Sequence, residues 1–273
     1  MTDNKSLPQG VLTYDEVRSV APALESYTKG ALLTDLWRRP ELSARDRSLV
    51  TVAALIARIQ TIEMPFHFSL ALDNGVRPAE LSETITHLAF YSGWANAMTA
   101  VSVAKDLFRE RGIRQDQLPK AIEPLLPLNE EAEEKRATNV ASNFGAVTPG
   151  LVQNTTELLF RDLWLRPALA PRDRSLVTVS ALIASGQVAQ ITYHLGRAMD
   201  NGLTESEAGE IVTHLAFYAG WPSRVTLKPA NGGQGKTGQR KWLGTQLFYP
   251  AASWGGKSNL VRQLRGPHFR TYP

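Results

Sequence analysis

The chain has 273 residues, 43% of them hydrophobic, so it can bury a sizeable core in one or two domains. It contains no cysteine, which excludes disulfides, thiolate metal sites and thiol redox catalysis. Residues 224–273 contain nine Lys or Arg and no Asp or Glu. The rest of the chain has 21 basic and 26 acidic residues, a net charge of about −5. This acidic balance does not favour a nucleic-acid partner. There is no apolar run of the roughly 20 residues that a membrane helix needs, and residues 1–10 lack the apolar core of a secretory signal, which predicts a cytoplasmic protein without membrane contact.

The sequence repeats itself at an offset of 127 residues. Between Asp35 and Trp94, about 34 of 60 positions are identical to those 127 residues later, which indicates a duplicated domain. A weaker match extends back to Val17 and to Phe144. We therefore predict a first copy over residues 17–113, a linker over 114–143 and a second, incomplete copy over 144–223. Four of the five histidines occupy matched positions.

Nearly every segment of the repeat has helical spacing. Ser43 followed by Asp46 is a capping-box pattern, and Pro171 can take the first helical position in the second copy, so a helix should begin before each Arg-Asp-Arg-Ser. Leu49, Val52, Ala53 and Ile56 are expected to form one apolar face of this helix.

Three further helices are predicted in the first copy. One carries His67 and ends at Asn74-Gly75, a pair suited to a left-handed cap. The next covers residues 78–93, or 204–220 in the second copy, and the last covers residues 95–111. Strand-like alternation is absent from the two copies, so the predicted fold class is all-α. The charged stretch that begins at Asn129 in the linker predicts one more helix, exposed to solvent.

The repeat stops in mid-motif at Ser223. From Arg224 onward the register predicts a helix like residues 95–111, but the chain has eight glycines, four prolines and no helical period. Such a composition predicts an irregular, disordered tail. Two explanations stay open: a basic tail that binds an anionic partner, or a coding frame that shifted near codon 223, which we favour.

The most specific local pattern is Gln60-x-x-Glu63-x-x-x-His67, matched by Gln187-x-x-Gln190-x-x-x-His194. On a helix these spacings place the three side chains on one face. A carboxylate one turn from an imidazole raises its basicity and fixes its tautomer, as a general acid or base requires. The alternative is a set of buried or interface polar residues that satisfy one another.

Several motifs together resemble the carboxymuconolactone decarboxylase and alkylhydroperoxidase D superfamily. These are Arg45-x-Arg47-Ser48-Leu49-Val50-Thr51, the His67 helix ending at Asp73-Asn74-Gly75, Glu80, Glu83, and His87-Leu88-Ala89-Phe90-Tyr91-x-Gly93. The resemblance implies an all-helical fold that self-associates, here as a trimer of tandem chains that rebuilds a pseudo-hexamer. It also implies peroxidase activity for members with two cysteines, but those positions hold Gln60 and Glu63 here, and Gln187 and Gln190 in the second copy.

The resemblance that remains is to the decarboxylase branch of the superfamily. It implies a cofactor-free lyase that acts on a carboxylated lactone or related oxo-acid of aromatic catabolism. We expect His67 to donate the proton and Glu63 to orient it, while His194, which has only Gln190 beside it, is the weaker catalytic candidate. Gln60, Gln187 and Gln190 are expected to contact the substrate. The second hypothesis is a non-enzymatic, oligomer-forming member whose sites have lapsed.

A carboxylated substrate also needs a cation. Arg45 and Arg47, with twins Arg172 and Arg174, are the repeated candidates, because a guanidinium can hold a carboxylate by two-point contact. The alternative is that they form local salt bridges at the helix start. His87 and His214 lie among apolar residues and are expected to be hydrogen-bonded core residues. Trp37 and Trp94 are expected to anchor the packing of the helices. No metal site is expected.

Overall fold

The computed structural model describes residues 12–221 and two short strands beyond them. Eleven α-helices lie in residues 12–221: α1 Tyr14–Val20, α2 Pro22–Tyr27, α3 Ala44–Arg58, α4 Met64–Asp73, α5 Pro78–Ser92, α6 Trp94–Glu110, α7 Glu130–Phe144, α8 Pro149–Asn154, α9 Pro171–Ala184, α10 Val188–Asp200 and α11 Glu205–Ala219. Short π-helical turns cover Thr28–Asp35 and Thr155–Phe160, and 3₁₀ turns cover Leu36–Arg38, Gln115–Gln117 and Leu163–Leu165. The two copies are thus helical, as the sequence predicts.

The helix boundaries follow the predicted capping signals. Ser43 caps α3 by accepting a hydrogen bond from the backbone of Asp46 at 3.0 Å, and Pro171 is the first residue of α9. Thr204 and Glu207 form a complete capping box at the start of α11. Gly75 and Gly202, at φ +92° and +96°, follow α4 and α10 in the left-handed region that favours glycine.

The centre of the molecule is formed by α3 and α9, the matching helices of the two copies, which pack against each other. α11 of the second copy packs on α3, and α5 of the first copy packs on α9. One hydrophobic core therefore contains residues of both copies. The predicted apolar face of α3 is buried, and the helix is enclosed beyond that face, because every residue from Asp46 to Ile56 is buried. A helix that is enclosed by partners on all sides needs small or apolar residues all round.

The two copies differ after α5 of the first copy and α11 of the second. In the first copy α6 packs against α3, α4 and α5, and buries Ala97, Ala100, Ala104 and Leu107. After Trp221 the described chain contains only the antiparallel strands β1, Thr226–Pro229, and β2, Trp242–Gln246. β2 lies against α10, as α6 lies against α4 in the first copy. The sequence did not predict these strands, and the rest of the predicted disordered tail lies outside the described residues.

Within the described part of the chain, no helix has both the length and the apolar character needed to cross a bilayer. No group of three or more His, Cys, Asp or Glu in that part is arranged to hold a metal ion.

Candidate active site

Two equivalent clusters of aromatic and imidazole side chains lie between the copies. The first site combines Trp37 and His67 of the first copy with His214 and Tyr218 of the second. The second site combines Trp164 and His194 of the second copy with His87 and Tyr91 of the first. Each site is therefore complete only because the two copies are packed against each other.

The first site is built around the imidazole of His67, which is 8% exposed. Its ring lies parallel to that of Trp37, with centroids 6.4 Å apart, and edge-on to that of Tyr218 at 5.4 Å. Trp37 donates a hydrogen bond from Nε1 to the Tyr218 hydroxyl at 2.9 Å. The Nδ1 atom of His67 is buried and has no hydrogen-bond partner among the described residues. It is therefore open to a hydrogen bond from a ligand or a water molecule.

Burial controls the protonation of this site. Desolvation lowers the pKa of His67 to about 4, so the imidazole is neutral near pH 7. Burial also raises the pKa of Tyr218 to about 12, so its phenol keeps its proton. The first site can therefore offer a neutral imidazole and a phenolic O–H to a small molecule.

Glu63 is placed differently from the expectation. It precedes α4, its side chain is exposed, and its backbone carbonyl accepts from the His67 backbone at 3.1 Å. No side-chain hydrogen bond joins the two residues in the described structure, and the pKa of His67 is lowered by desolvation rather than raised by a carboxylate. Gln60, Gln187 and Gln190 are likewise exposed, at the ends of the helices that carry the two site histidines.

Arg47 is not available to a substrate, which corrects the prediction of a carboxylate-binding role. Its side chain is fully buried and forms an ion pair with Glu210 of the other copy at 2.8 Å. Glu210 also accepts from Arg39 at 2.9 and 3.0 Å, so both carboxylate oxygens are engaged. The twin pair is Arg174 with Glu83, at 2.8 Å.

Arg45 is also occupied. It pairs with Glu80 at 2.8 Å and with Asp173 at 2.7 Å, while Arg172 pairs with Asp46 at 2.9 Å. The pairs with Asp173 and Asp46 join the two copies. The local salt bridges of the alternative interpretation are present as well, since Arg45 lies 3.4 Å from Asp46 and Arg172 lies 3.1 Å from Asp173. The repeated Arg-Asp-Arg motif thus holds the copies together at their pseudo-symmetric contact.

His87 and His214 are core residues, as predicted. Arg47 donates from Nη1 to Nδ1 of His214 at 3.3 Å, so the proton of that ring is on Nε2, which donates to Thr51 at 2.8 Å. His87 has the same contacts with Arg174, at 3.3 Å, and Thr178, at 2.7 Å. Burial and the neighbouring guanidinium lower the pKa of His214 to about 3.

The sequence reasoning missed the aromatic half of each site. Tyr91 and Tyr218 follow His87 and His214 at the same spacing of four in both copies. That repeated spacing was the available signal. Trp94, predicted as a packing anchor, is instead 63% exposed.

The second site is covered more tightly than the first. Trp164 is 2% exposed, and Phe160 lies parallel to it at a centroid distance of 6.1 Å. The residue matching Phe160 in the first copy is Leu33, which is 36% exposed. Burial lowers the pKa of His194 to about 4, with a smaller contribution from the charge of Arg197.

Comparison with known proteins gives a consistent result. The family model described as the carboxymuconolactone decarboxylase family matches residues 22–106 and 149–230. The 4-carboxymuconolactone decarboxylase of Acinetobacter baylyi is 35% identical over 86 residues, which are 32% of this chain and 64% of that protein. The nitrosuccinic acid decarboxylase of Metarhizium robertsii is 38% identical over 70 residues, which are 26% of this chain and 49% of that protein. This chain thus spans about half to two thirds of the length of these relatives.

Proposed function

The chain belongs to the carboxymuconolactone decarboxylase family, and we propose that it is a cofactor-free decarboxylase of a carboxylated lactone or related oxo-acid of aromatic catabolism. The observation that carries the proposal is the buried imidazole of His67, whose Nδ1 has no partner, beside the protonated phenol of Tyr218. The names of both relatives support decarboxylation as the reaction type.

The proposed reaction needs a proton donor and stabilisation of a negative charge. The bond between the substrate carbon and its carboxylate breaks, carbon dioxide leaves, and the electron pair is delocalised onto the lactone carbonyl. The O–H of Tyr218 donates a hydrogen bond to the developing enolate, as donors do in an oxyanion hole. His67 then protonates the carbon, and solvent returns the proton to the imidazole.

The low pKa of His67 is compatible with this role only when the substrate is bound. A carboxylate that approaches the imidazole favours its charged form, so the pKa of His67 rises on binding. Glu63, at the start of the same helix, is the proposed positioning residue at the mouth of the site. Gln60, together with Gln187 and Gln190 at the second site, is proposed to contact the polar groups of the ligand. His194 is proposed as the corresponding, weaker catalytic residue.

We also propose that the tandem chain forms a trimer with pseudo-hexameric symmetry. Support comes from large apolar side chains that remain exposed at matched positions: Phe90, Trp94, Phe217 and Trp221, of which the two tryptophans are 63% and 67% exposed. Exposed apolar surface of this kind is typical of protein contacts. A cytoplasmic location remains part of the proposal.

The proposed activity is tested by incubating the chain with 4-carboxymuconolactone and measuring the carbon dioxide that is released. His67→Gln should lower kcat by about 10²- to 10⁴-fold, the range expected for loss of a general acid. Glu63→Gln should lower it less, with a shifted pH profile. The matched control, His194→Gln, should retain most of the activity. A folded wild-type chain that releases no carbon dioxide would favour the second candidate, a non-enzymatic, oligomer-forming member whose sites have lapsed. The observation that favours this candidate is that no side-chain hydrogen bond joins Glu63 to His67 in the described structure.

A further inference from the structure

The second site contains a cation that the first site lacks. Arg197 lies on α10, one turn after His194, and the matching residue of the first copy is Leu70. The guanidinium of Arg197 lies over the ring of Trp164, 4.3 Å from its centroid, and 5.1 Å from that of Phe160. The two sites therefore share their aromatic and imidazole groups but differ in charge.

No carboxylate of residues 12–221 compensates the charge of Arg197. Within residues 12–221 its guanidinium makes ring contacts but has no acidic partner, and its Nε is buried without a hydrogen bond. The tail cannot supply a side-chain carboxylate, because residues 224–273 contain no Asp or Glu. The Nε atoms of Arg47 and Arg174 are also buried without a partner, so it is the missing carboxylate that sets Arg197 apart from them.

A neighbouring arginine shows the usual arrangement. Arg136 also lies over the ring of Phe160, at 4.2 Å, but two of its nitrogens donate to Glu133 at 2.7 Å. Arg174, the other guanidinium of the second site, is paired with Glu83 at 2.8 Å. Among these three arginines, Arg197 alone has no carboxylate on the described residues.

The surroundings of Arg197 suit a small planar anion. His194 lies parallel to Trp164 at 6.2 Å, and Tyr91 and Tyr193 approach the imidazole edge-on at 5.2 and 5.1 Å. The Nδ1 atom of His194 is buried without a partner. A guanidinium stacked on an aromatic face keeps its edge free for two parallel hydrogen bonds to a carboxylate.

We propose that Arg197 is the carboxylate-binding residue of the second site, which takes a small mono- or dicarboxylate between Arg197 and His194. The first site has Leu70 at the matching position, so it can hold a carboxylated substrate only through its imidazole and phenol and should bind simple carboxylates more weakly. The duplication has thus produced one site with a guanidinium that is not paired with a carboxylate of residues 12–221, and one in which the guanidinium, that of Arg47, is neutralised by Glu210. The inference takes from the proposed function only the expectation that the ligand is carboxylated.

Calorimetric titration of the full chain with succinate tests the proposal without any turnover. The wild type should bind one succinate per chain. Arg197→Leu, which installs the residue of the first copy, should weaken binding by about tenfold or more, the loss expected for a charge-assisted two-point contact. Arg114→Leu removes the same charge from an exposed ion pair with Asp116 and should leave binding unchanged.

A second variant covers the case in which Arg197→Leu does not fold. Arg197→Lys keeps the charge but loses the planar fork, so it should bind succinate several-fold more weakly than the wild type. Absence of succinate binding by the wild type, or equal affinity of the wild type and the folded Arg197 variants, would overturn the proposal. Because succinate is not expected to be decarboxylated, these results are independent of the His67→Gln turnover test.

Discussion

Lowering the pH from 7 to 5 should destabilise this protein strongly, because four buried histidines are neutral in its folded state. Burial lowers the pKa of His67 and His194 to about 4 and that of His214 to about 3, and the pKa of His87 lies well below its ordinary 6.5. In the unfolded chain each imidazole takes up a proton near its ordinary pKa. The unfolded state therefore binds more protons below pH 6.5, and the free energy of unfolding falls as the pH falls.

The size of the effect follows from these pKa values. A histidine with a folded-state pKa near 4 and an unfolded-state pKa near 6.5 loses about 2 kcal/mol of stability between pH 7 and pH 5. The four together lose roughly 7 kcal/mol, which is comparable with the total stability of a domain. Carboxyl groups such as Glu80 and Glu207, whose pKa is lowered from 4.5, stay ionised in this range and lose their contribution only at lower pH.

Urea unfolding followed by circular dichroism at several pH values between 7 and 5 measures this slope. His214→Gln is the matched variant, because the amide can accept from Arg47 and donate to Thr51 but does not titrate. Its stability should depend less on pH than that of the wild type, by about 2 kcal/mol over the same range. A stability that is constant between pH 7 and 5, or an unchanged slope in His214→Gln, would refute the reasoning.

Three other predictions concern the contacts between the copies and the tail. Glu210→Ala leaves the buried Arg47 without its partner and should cost about 3 to 5 kcal/mol in urea unfolding, whereas Glu41→Ala, which loses only a contact with Arg39 of 3.7 Å, should cost much less; equal losses would contradict the role of the buried pair. Trp37→Phe removes the hydrogen bond to Tyr218 and should lower stability by about 1 kcal/mol or somewhat more, because a smaller ring also fills the site less well; an unchanged midpoint would show that this bond contributes nothing. Deleting residues 224–273 should leave the melting temperature unchanged if the tail is disordered as its composition predicts, and a fall of several degrees would show that β2 supports α10.

Local sequence signals predicted most of the helices correctly. Ser43, Pro171 and Thr204 cap helices by contacts within one turn, so their effect is readable from residues three or four positions apart. The 127-residue offset identified the duplication and matched the histidines in pairs. The same signals could not show that α3 is buried on every side, because its second face packs on α9, a helix that is remote in sequence.

The arginines show why the candidate site was only partly predictable. Arg47 and Arg174 have the charge that a carboxylated ligand requires, but Glu210 and Glu83, which neutralise them, are 163 and 91 residues away in the chain. Pairing over such a separation depends on how α11 packs on α3 and α5 on α9. Arg197, in contrast, is a single residue on α10 without a matching arginine in the first copy, so the repeat does not single it out, although it has no carboxylate partner within residues 12–221.

The sequence by itself determined the all-helical copies, the family resemblance, the absence of thiol chemistry and the pairing of His67 with His194, since all of these follow from composition, periodicity and the repeat. Only the tertiary structure decided which groups are free to act. It completed each site with a tyrosine from the opposite copy and engaged Arg45 and Arg47 in ion pairs between the copies. Among the described residues it left the Nδ1 atoms of His67 and His194 without a hydrogen-bond partner and Arg197 without a carboxylate. The physical reason is that the protonation state and availability of a side chain depend on burial and on neighbours that the fold brings together, which the order of residues along the chain does not specify.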